Sequence, residues 1–352
     1  MSVQAEHFVK NQPDALSHSP IVAAVSPQES RWFLESLTPV AHEKFGFRFL
    51  DLATRGWNHS VDELRALNPE ILITCWSSPL LPDEWLESPS CRLRYICHLT
   101  GSVRHVISRR FIDRGRLVTN WGNIPSGAVA EHALLLALAA LRNQPRWREV
   151  FERGGTISNH MEELRVSTLF GRRVGIHGFG QVAQSLVRLL APFGVAIVAY
   201  APGVPDELFA RAGVRRVADL KKLFSSSDVL FECEALTAST RNAIGAAELS
   251  ALPDDAVLVN VARAGLIDDA ALMREATSRR LRIALDVFAT EPLPPDSPWL
   301  SIPGAVLSPH MAGPTFDQYP ACALAALSNI HRYLLCRPLE HLVTSDIYDR
   351  ST

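Results

Sequence analysis

Arg263, Glu291 and His310 are residues whose types and placement could do chemistry together. Each closes an apolar run: Arg263 follows VLVNVA, Glu291 follows RIALDVFAT, and His310 follows AVLSP. Such runs read as buried parallel strands. Strands of one parallel sheet end on one edge, so residues far apart in sequence can meet there. An imidazole gives or takes a proton. A carboxylate beside it orients the ring and favours its charged form. A guanidinium grips a carboxylate with a planar fork. With a hydride carrier, the set fits reduction of a 2-oxo acid. His310 would protonate the carbonyl oxygen, Glu291 would tune His310, and Arg263 would hold the substrate carboxylate. Asp286, in the same stretch as Glu291, would meet the amide of a nicotinamide. Taken singly, each has a plain structural reading: a surface arginine, a solvated glutamate in a Pro-rich loop, a structural histidine. Their order along the chain is what favours the functional one.

The hydride carrier has its own signature in Gly171–Tyr200, GRRVGIHGFGQVAQSLVRLLAPFGVAIVAY. An apolar strand runs into G-x-G-x-x-A (Gly178, Gly180, Ala183), then an amphipathic helix, then Gly194 and a second buried strand. In that strand–turn–helix–strand context the motif reads as dinucleotide binding. Gly178 permits the tight turn, Gly180 lets backbone approach a pyrophosphate, and Ala183 lets helix pack on strand. The helix N-terminus faces the phosphates with free N–H groups.

The elements that must position these residues alternate strand and helix from residue 21 to the C-terminus, which implies α/β architecture with parallel sheets. At 352 residues the chain is long enough for two cores. Ile21–Val25, Phe45–Leu50, 71–76, Leu93–Leu99 and Arg116–Asn120 read as strands of the first half. Residues 1–19 read as a loose extension. Thr100-Gly101-Ser102 follows a strand directly and could present backbone N–H groups at a sheet edge, or be a simple turn. AVAEHALLLALAALRNQPRW reads as an apolar helix joining two domains, and 146–170 as a polar connector. The net charge of −2 and the lack of a long basic run argue against a nucleic-acid binder. The six cysteines form no C-x-x-C and no zinc pattern, so no metal is expected and a reducing compartment is. No segment reads as a signal core or a membrane span, which places the protein in the cytoplasm.

The chain resembles the D-isomer-specific 2-hydroxyacid dehydrogenases. The blocks are VGIHGFGQVAQ (174–184), SDVLFECEALT (227–237), LVNVARAGLIDDAAL (258–272), ALDVFATEPLP (284–294), SPHMAG (308–313) and VAEHALLLALAALR (129–142). The resemblance implies two Rossmann-like doubly wound domains. The catalytic, substrate-binding domain would be 1–142 with 312–352, and the inserted dinucleotide-binding domain 143–311. It implies Arg263, Glu291 and His310 as the catalytic trio. Cofactor contacts would be Gly178, Phe179, Gly180, Gln181, Val182, Ala201, Ala262 and Asp286. Leu99, Thr100 and Gly101 would bind the substrate carboxylate with Arg263. A homodimer is the usual assembly.

Departures from the family pattern bear on the cofactor. Many members end the second cofactor strand in Asp, which accepts the ribose hydroxyls of NAD. Ala201 stands there, with no Arg following to hold a 2′-phosphate, so NAD and NADP both remain open with a lean to NAD. Glu234 would disfavour a 2′-phosphate if it faced the cofactor. Ala264 stands where the family often has Gly. His98, Arg104, Trp76, Ser77 and Trp121 are candidates for substrate selection. The readings from this pattern are an NAD(P)-dependent dehydrogenase or 2-oxo acid reductase, a dinucleotide-sensing regulator on the same scaffold, and a formate dehydrogenase. Glu291 beside His310 speaks against the last.

Overall fold

The computed structural model describes residues 21–35, 46–50, 56–154 and 156–350; the extension 1–19 lies outside them. The chain divides into two compact units, Met1–Pro125 with Thr315–Thr352, and Ser126–Pro314.

The first unit holds a five-stranded parallel sheet, β1 (Ile21–Ala24), β2 (Arg48–Phe49), β3 (Ile71–Thr74), β4 (Tyr95–His98) and β5 (Leu117–Thr119), in the order β2-β1-β3-β4-β5. Helix α1 (Gly56–Leu67) precedes β3. Strands β1, β3 and β4 are buried along their length, which is why they read as unbroken apolar runs. The order reverses between β1 and β3.

The second unit holds a seven-stranded parallel sheet, β6 (Arg173–His177), β7 (Ala196–Tyr200), β8 (Arg215–Arg216), β9 (Val229–Glu232), β10 (Val257–Asn260), β11 (Arg282–Leu285) and β12 (Val306–Leu307). Its order is β12-β11-β10-β9-β6-β7-β8, reversing between β6 and β9. In open α/β sheets the crevice outside such a reversal is where ligands bind.

Helix α2 (Ser126–Leu141) belongs to the second unit, so the division falls after Pro125 rather than after residue 142. It packs on the helix of the glycine motif and on β10 and β11. Ala130, Ala133, Ala137 and Ala140 are all buried there, and such small side chains let it approach closely. Segment 146–170, which reads as a polar connector, is partly helical. It forms α3 (Trp147–Arg153) and α4 (Ile157–Leu164). The glycine-motif helix is α5 (Gln181–Leu190), and α6 (Tyr319–Leu334) closes the first unit. No helix of the described residues is long and apolar enough to cross a membrane, and none of their His, Cys, Asp and Glu clusters could hold a metal.

Candidate active site

His310 and Glu291 meet. His310 Nδ1 lies 2.6 Å from Glu291 Oε2, and Glu291 Oε1 accepts from the backbone N–H of Phe288 at 2.8 Å. Glu291 is thereby held from both oxygens, and the His310 ring is fixed through Nδ1. The imidazole remains exposed, which leaves Nε2 as the nitrogen for a reacting group. His310 sits at φ +50°, in the left-handed region. That conformation costs about 1–3 kcal/mol for a residue other than glycine. It is held by its own N–H, which donates to the carbonyls of Asp286 at 2.9 Å and Ser308 at 3.0 Å.

Arg263 follows β10 in extended backbone. Asn260 clamps the turn that carries it: Asn260 Oδ1 accepts from Ala262 N at 3.0 Å, and its Nδ2 donates to the Arg263 carbonyl at 3.1 Å. The guanidinium donates to the Ala262 carbonyl at 2.7 Å. Burial pushes the Arg263 guanidinium down, while Glu291 and Asp286 act in the opposite direction. An arginine stays charged in either case, so a half-buried cation faces two carboxylates. A cavity of about 540 Å³ is lined by Arg263 and Glu291 together with Arg241, Asn242, Asp268 and Phe288.

Asp286 is fully buried. Its Oδ1 accepts from Ser308 Oγ at 2.7 Å and Met311 N at 2.9 Å, and its Oδ2 from Ala312 N at 3.0 Å. His132 Nε2, on α2, lies 2.9 Å from Ser308 Oγ and 3.4 Å from Asp286 Oδ1. These partners hold the Asp286 carboxyl below its ordinary range against the opposing effect of burial. The sequence marks Asp286 as a nicotinamide contact, whereas here its carboxylate is engaged by the loop that carries His310. The sequence does not mark Ser308, His132 and Asn260 as site residues. All three lie inside the matching blocks, His132 as a lone imidazole in an apolar helix.

The glycine turn sits at the sheet's reversal. Gly178 has φ +81°, and a Cβ there would come within 2.7 Å of the Glu234 backbone, so the turn and the end of β9 fit together only with glycine. At Gly180 a Cβ would meet open space, and Gly180 caps α5 without a side-chain bond. The first bond of the helix is Gln184 N to the Gly180 carbonyl at 3.0 Å. The N–H groups of Gln181, Val182 and Ala183 therefore have no intrahelical acceptor. This is a cradle shaped for an anionic group, and the donor set fits a dinucleotide pyrophosphate. Phe179 is buried and stacks on Phe209 at 4.4 Å. Ala201 is buried beside the turn, and Glu234 turns its Oε1 to the Ala235 N–H at 2.8 Å.

In the first unit, Leu99 and Thr100 are buried while Gly101 is half-buried, and the Gly101 carbonyl accepts from Asn120 Nδ2 at 2.8 Å. His98 is not placed to select a substrate: it is buried, with Nδ1 2.9 Å from Thr74 Oγ1 and Nε2 2.7 Å from Thr100 Oγ1. Arg104 lies over the Tyr348 ring at 5.7 Å.

A doubly wound sheet with a glycine cradle at its reversal and an Arg, Glu and His at its strand ends defines a dinucleotide-dependent α/β protein. Residues 134–312 match the family model "D-isomer specific 2-hydroxyacid dehydrogenase, NAD binding domain", and the chain belongs to that family. It is 32% identical to D-3-phosphoglycerate dehydrogenase of Methanocaldococcus jannaschii over 253 residues, 72% of this chain and 48% of that protein. It is 28% identical to hydroxypyruvate reductase of Thermotoga maritima, covering 78% of this chain and 88% of that one. The chain thus spans about half the length of the phosphoglycerate dehydrogenases it matches, 48% in the first of them. Among solved structures, a glyoxylate reductase from Paecilomyes thermophila shares the fold with a TM-score of 0.76 at 22% identity, covering 94% of this chain and 100% of that one.

Proposed function

We propose that the protein is an NAD(P)-dependent oxidoreductase that interconverts a 2-oxo acid and a D-2-hydroxy acid. The observation that carries this reading is the 2.6 Å pairing of His310 Nδ1 with Glu291 Oε2, in the unit that holds the half-buried Arg263 and the glycine cradle. Gly178, Phe179, Gly180, Gln181, Val182, Ala201 and Ala262 would hold the cofactor, which when bound supplies a hydride to C2 of the oxo acid. Arg263 would bind the substrate carboxylate and polarise the carbonyl. The Leu99 N–H is taken by the Thr74 carbonyl at 2.8 Å, so in the Leu99–Gly101 stretch the backbone donors would come from Thr100 and Gly101. His310, with Nδ1 bound to Glu291, would deliver the Nε2 proton to the carbonyl oxygen, which becomes the hydroxyl. In the reverse direction the neutral ring would take that proton back. Asp286 is assigned a positioning role. It holds Ser308, Met311 and Ala312, the neighbours of His310 on both sides.

The family resemblance supports a homodimer, and a second copy would cover the apolar surface of α3 and α4, where Phe151 is 82% exposed. The free cysteines fit a reducing compartment, and the cytoplasm is assigned on that basis.

The test is nicotinamide absorbance with NADH and NADPH against glyoxylate, hydroxypyruvate, pyruvate, phenylpyruvate and 2-oxoisocaproate, and NAD with formate. Oxidation of either reduced cofactor by an oxo acid is the expected result. Tight cofactor binding without turnover of any acid would overturn the reading.

A further inference from the structure

In the second unit, Tyr200 of β7, His177 of β6, Glu232 of β9 and Asn260 of β10 stand side by side in register at the strand ends. Two of them form an ion pair. His177 Nδ1 lies 2.7 Å from Glu232 Oε2, and both residues are buried. Apolar residues of similar volume often serve stability as well as a buried ion pair does. The proposed hydride and proton transfers do not use this pair either. Its surroundings are those of the glycine cradle. His177 directly precedes Gly178, and its carbonyl accepts from Cys233 N at 2.9 Å. Glu232 Oε1 accepts from Glu234 N at 2.8 Å. The Glu234 backbone is what a Cβ at Gly178 would strike at 2.7 Å. The pair thus adjoins the turn and holds the segment on which the turn rests.

The charged groups that face His177 are both acidic. Glu232 and Glu234 come from the end of β9. The same stretch brings Cys233, whose thiol is pushed up by burial and by the two carboxylates and so stays neutral. Strand β7 brings Tyr200, whose ring stacks on the imidazole at 5.9 Å, and β10 brings the uncharged Asn260. Helix α5 has no charged side chain before Arg188 in its last turn. Lys221 and Lys222, on the helix Leu220–Ser225 that packs on β6, are exposed. Burial alone would push the imidazole down, but the two carboxylates carry it above its ordinary value. With its proton the pair is neutral. Without it, Glu232 leaves a negative charge beside a cradle whose ligand is itself an anion.

We propose that His177 and Glu232 set the affinity for the dinucleotide: the protonated pair is the form that accepts the pyrophosphate, and binding takes up a proton wherever the ring starts neutral. The inference rests on the cofactor reading of the cradle and adds the residues that regulate it. The coupling is reciprocal, so the bound anion raises the proton affinity of His177 by the factor with which the proton raises the affinity for the anion.

The experiment titrates NADH into the full chain at about pH 6, 7.5 and 9, a range that brackets an imidazole raised above ~6.5. Nicotinamide fluorescence gives Kd, and calorimetry in two buffers of different ionisation enthalpy counts protons. Kd should rise about tenfold from the acid to the alkaline end, on the order of the effect of one unit charge across ~10 Å of protein. Proton uptake should accompany binding on the alkaline side. His177→Gln keeps a donor for Glu232 without the charge, so its Kd should stay at the alkaline wild-type value at every pH, with no proton taken up. The double variant His177→Leu, Glu232→Leu removes both charges and leaves an apolar pair. Its Kd should stay near the acid wild-type value at every pH. A purely structural role would weaken binding in both variants alike. That pattern, a wild-type Kd that ignores pH, or a pH dependence that survives in His177→Gln would overturn the inference and leave the cradle reading intact. Failure of NADH to bind the wild type at any pH would remove the cradle reading and this inference together.

Discussion

Asp286 and Ser308 sit with carboxylate and hydroxyl 2.7 Å apart at the ends of neighbouring strands, and between them they fix the loop that carries His310. The same carboxylate takes the N–H groups of Met311 and Ala312, and the Asp286 carbonyl takes the N–H of His310. One residue therefore holds the acid–base histidine by its own backbone and by its neighbours on both sides. Asp286→Asn would turn an N–H₂ group toward donors and loosen this loop. Misplacement of a reacting group by about 1 Å costs on the order of 10² in rate. The expected outcome is a fall in kcat of about 10–100-fold with the cofactor Kd unchanged. A rise in that Kd at unchanged kcat would return Asp286 to the role of a nicotinamide contact.

His310→Ala should lower turnover by roughly 10²–10⁴, the usual contribution of a positioned acid or base. Its thermal midpoint should fall, because alanine keeps a Cβ at φ +50° and loses the bond to Glu291. His310→Asn tolerates that conformation and separates the two effects: it should be as inactive as His310→Ala. Turnover near the wild-type level in either variant would sink the proposed proton path.

Much of this site was legible because its parts are local. The runs that form β10, β11 and β12 are apolar, and Arg263, Glu291 and His310 each follow one of them within a few positions. What escaped the sequence is what depends on partners far along the chain. His98 looked available to a substrate, but the parallel register puts Thr74 opposite it on β3, and Thr100 takes its other nitrogen. Asp286 receives its donors from 308–312 and lies near His132 on α2, none of which can be placed from the stretch around 286. Helices α3 and α4 are short and rich in charge, and ion pairs tie them and the turn before them: Arg146 to Glu163 at 2.9 Å, Arg153 to Glu163 at 2.7 Å. A polar segment of that kind reads as a connector. The boundary after Pro125 escaped because the apolar helix α2 would suit either unit, and its alanines pack on α5.

Cofactor choice gives a third test. The stretch Ala201–Pro205 after β7 carries no charged side chain, and Glu234 bonds its neighbour's N–H. Neither a carboxylate for the ribose hydroxyls nor a cation for a 2′-phosphate stands in that stretch. NADH and NADPH should bind with Kd values within about tenfold of each other, a difference of about 1.4 kcal/mol. Titration by nicotinamide fluorescence measures both. A hundredfold preference for either would mean that the ribose is read by residues outside this turn.

Two buried histidines set opposite pH limits on stability. His98 is pushed down to about 3, by burial first and then by His105. The unfolded chain takes up this proton near pH ~6.5 and the folded one does not. Stability should therefore fall as pH drops below about 6.5, by up to about 1.4 kcal/mol per unit. His177 behaves in the reverse sense. Burial alone would push it down, but Glu232, 2.7 Å away, and Glu234 carry it above its ordinary value. Its contribution is complete below about pH 6.5 and is lost as pH rises through the folded value. Urea midpoints at about pH 5, 6.5 and 8 check both signs. His98→Gln should flatten the acid side of the profile and His177→Gln the alkaline side, each with its other limb retained. If both variants keep the wild-type profile, neither histidine changes its protonation between the folded and unfolded chain, and the buried pair of His177 with Glu232 holds no proton that the unfolded chain would release.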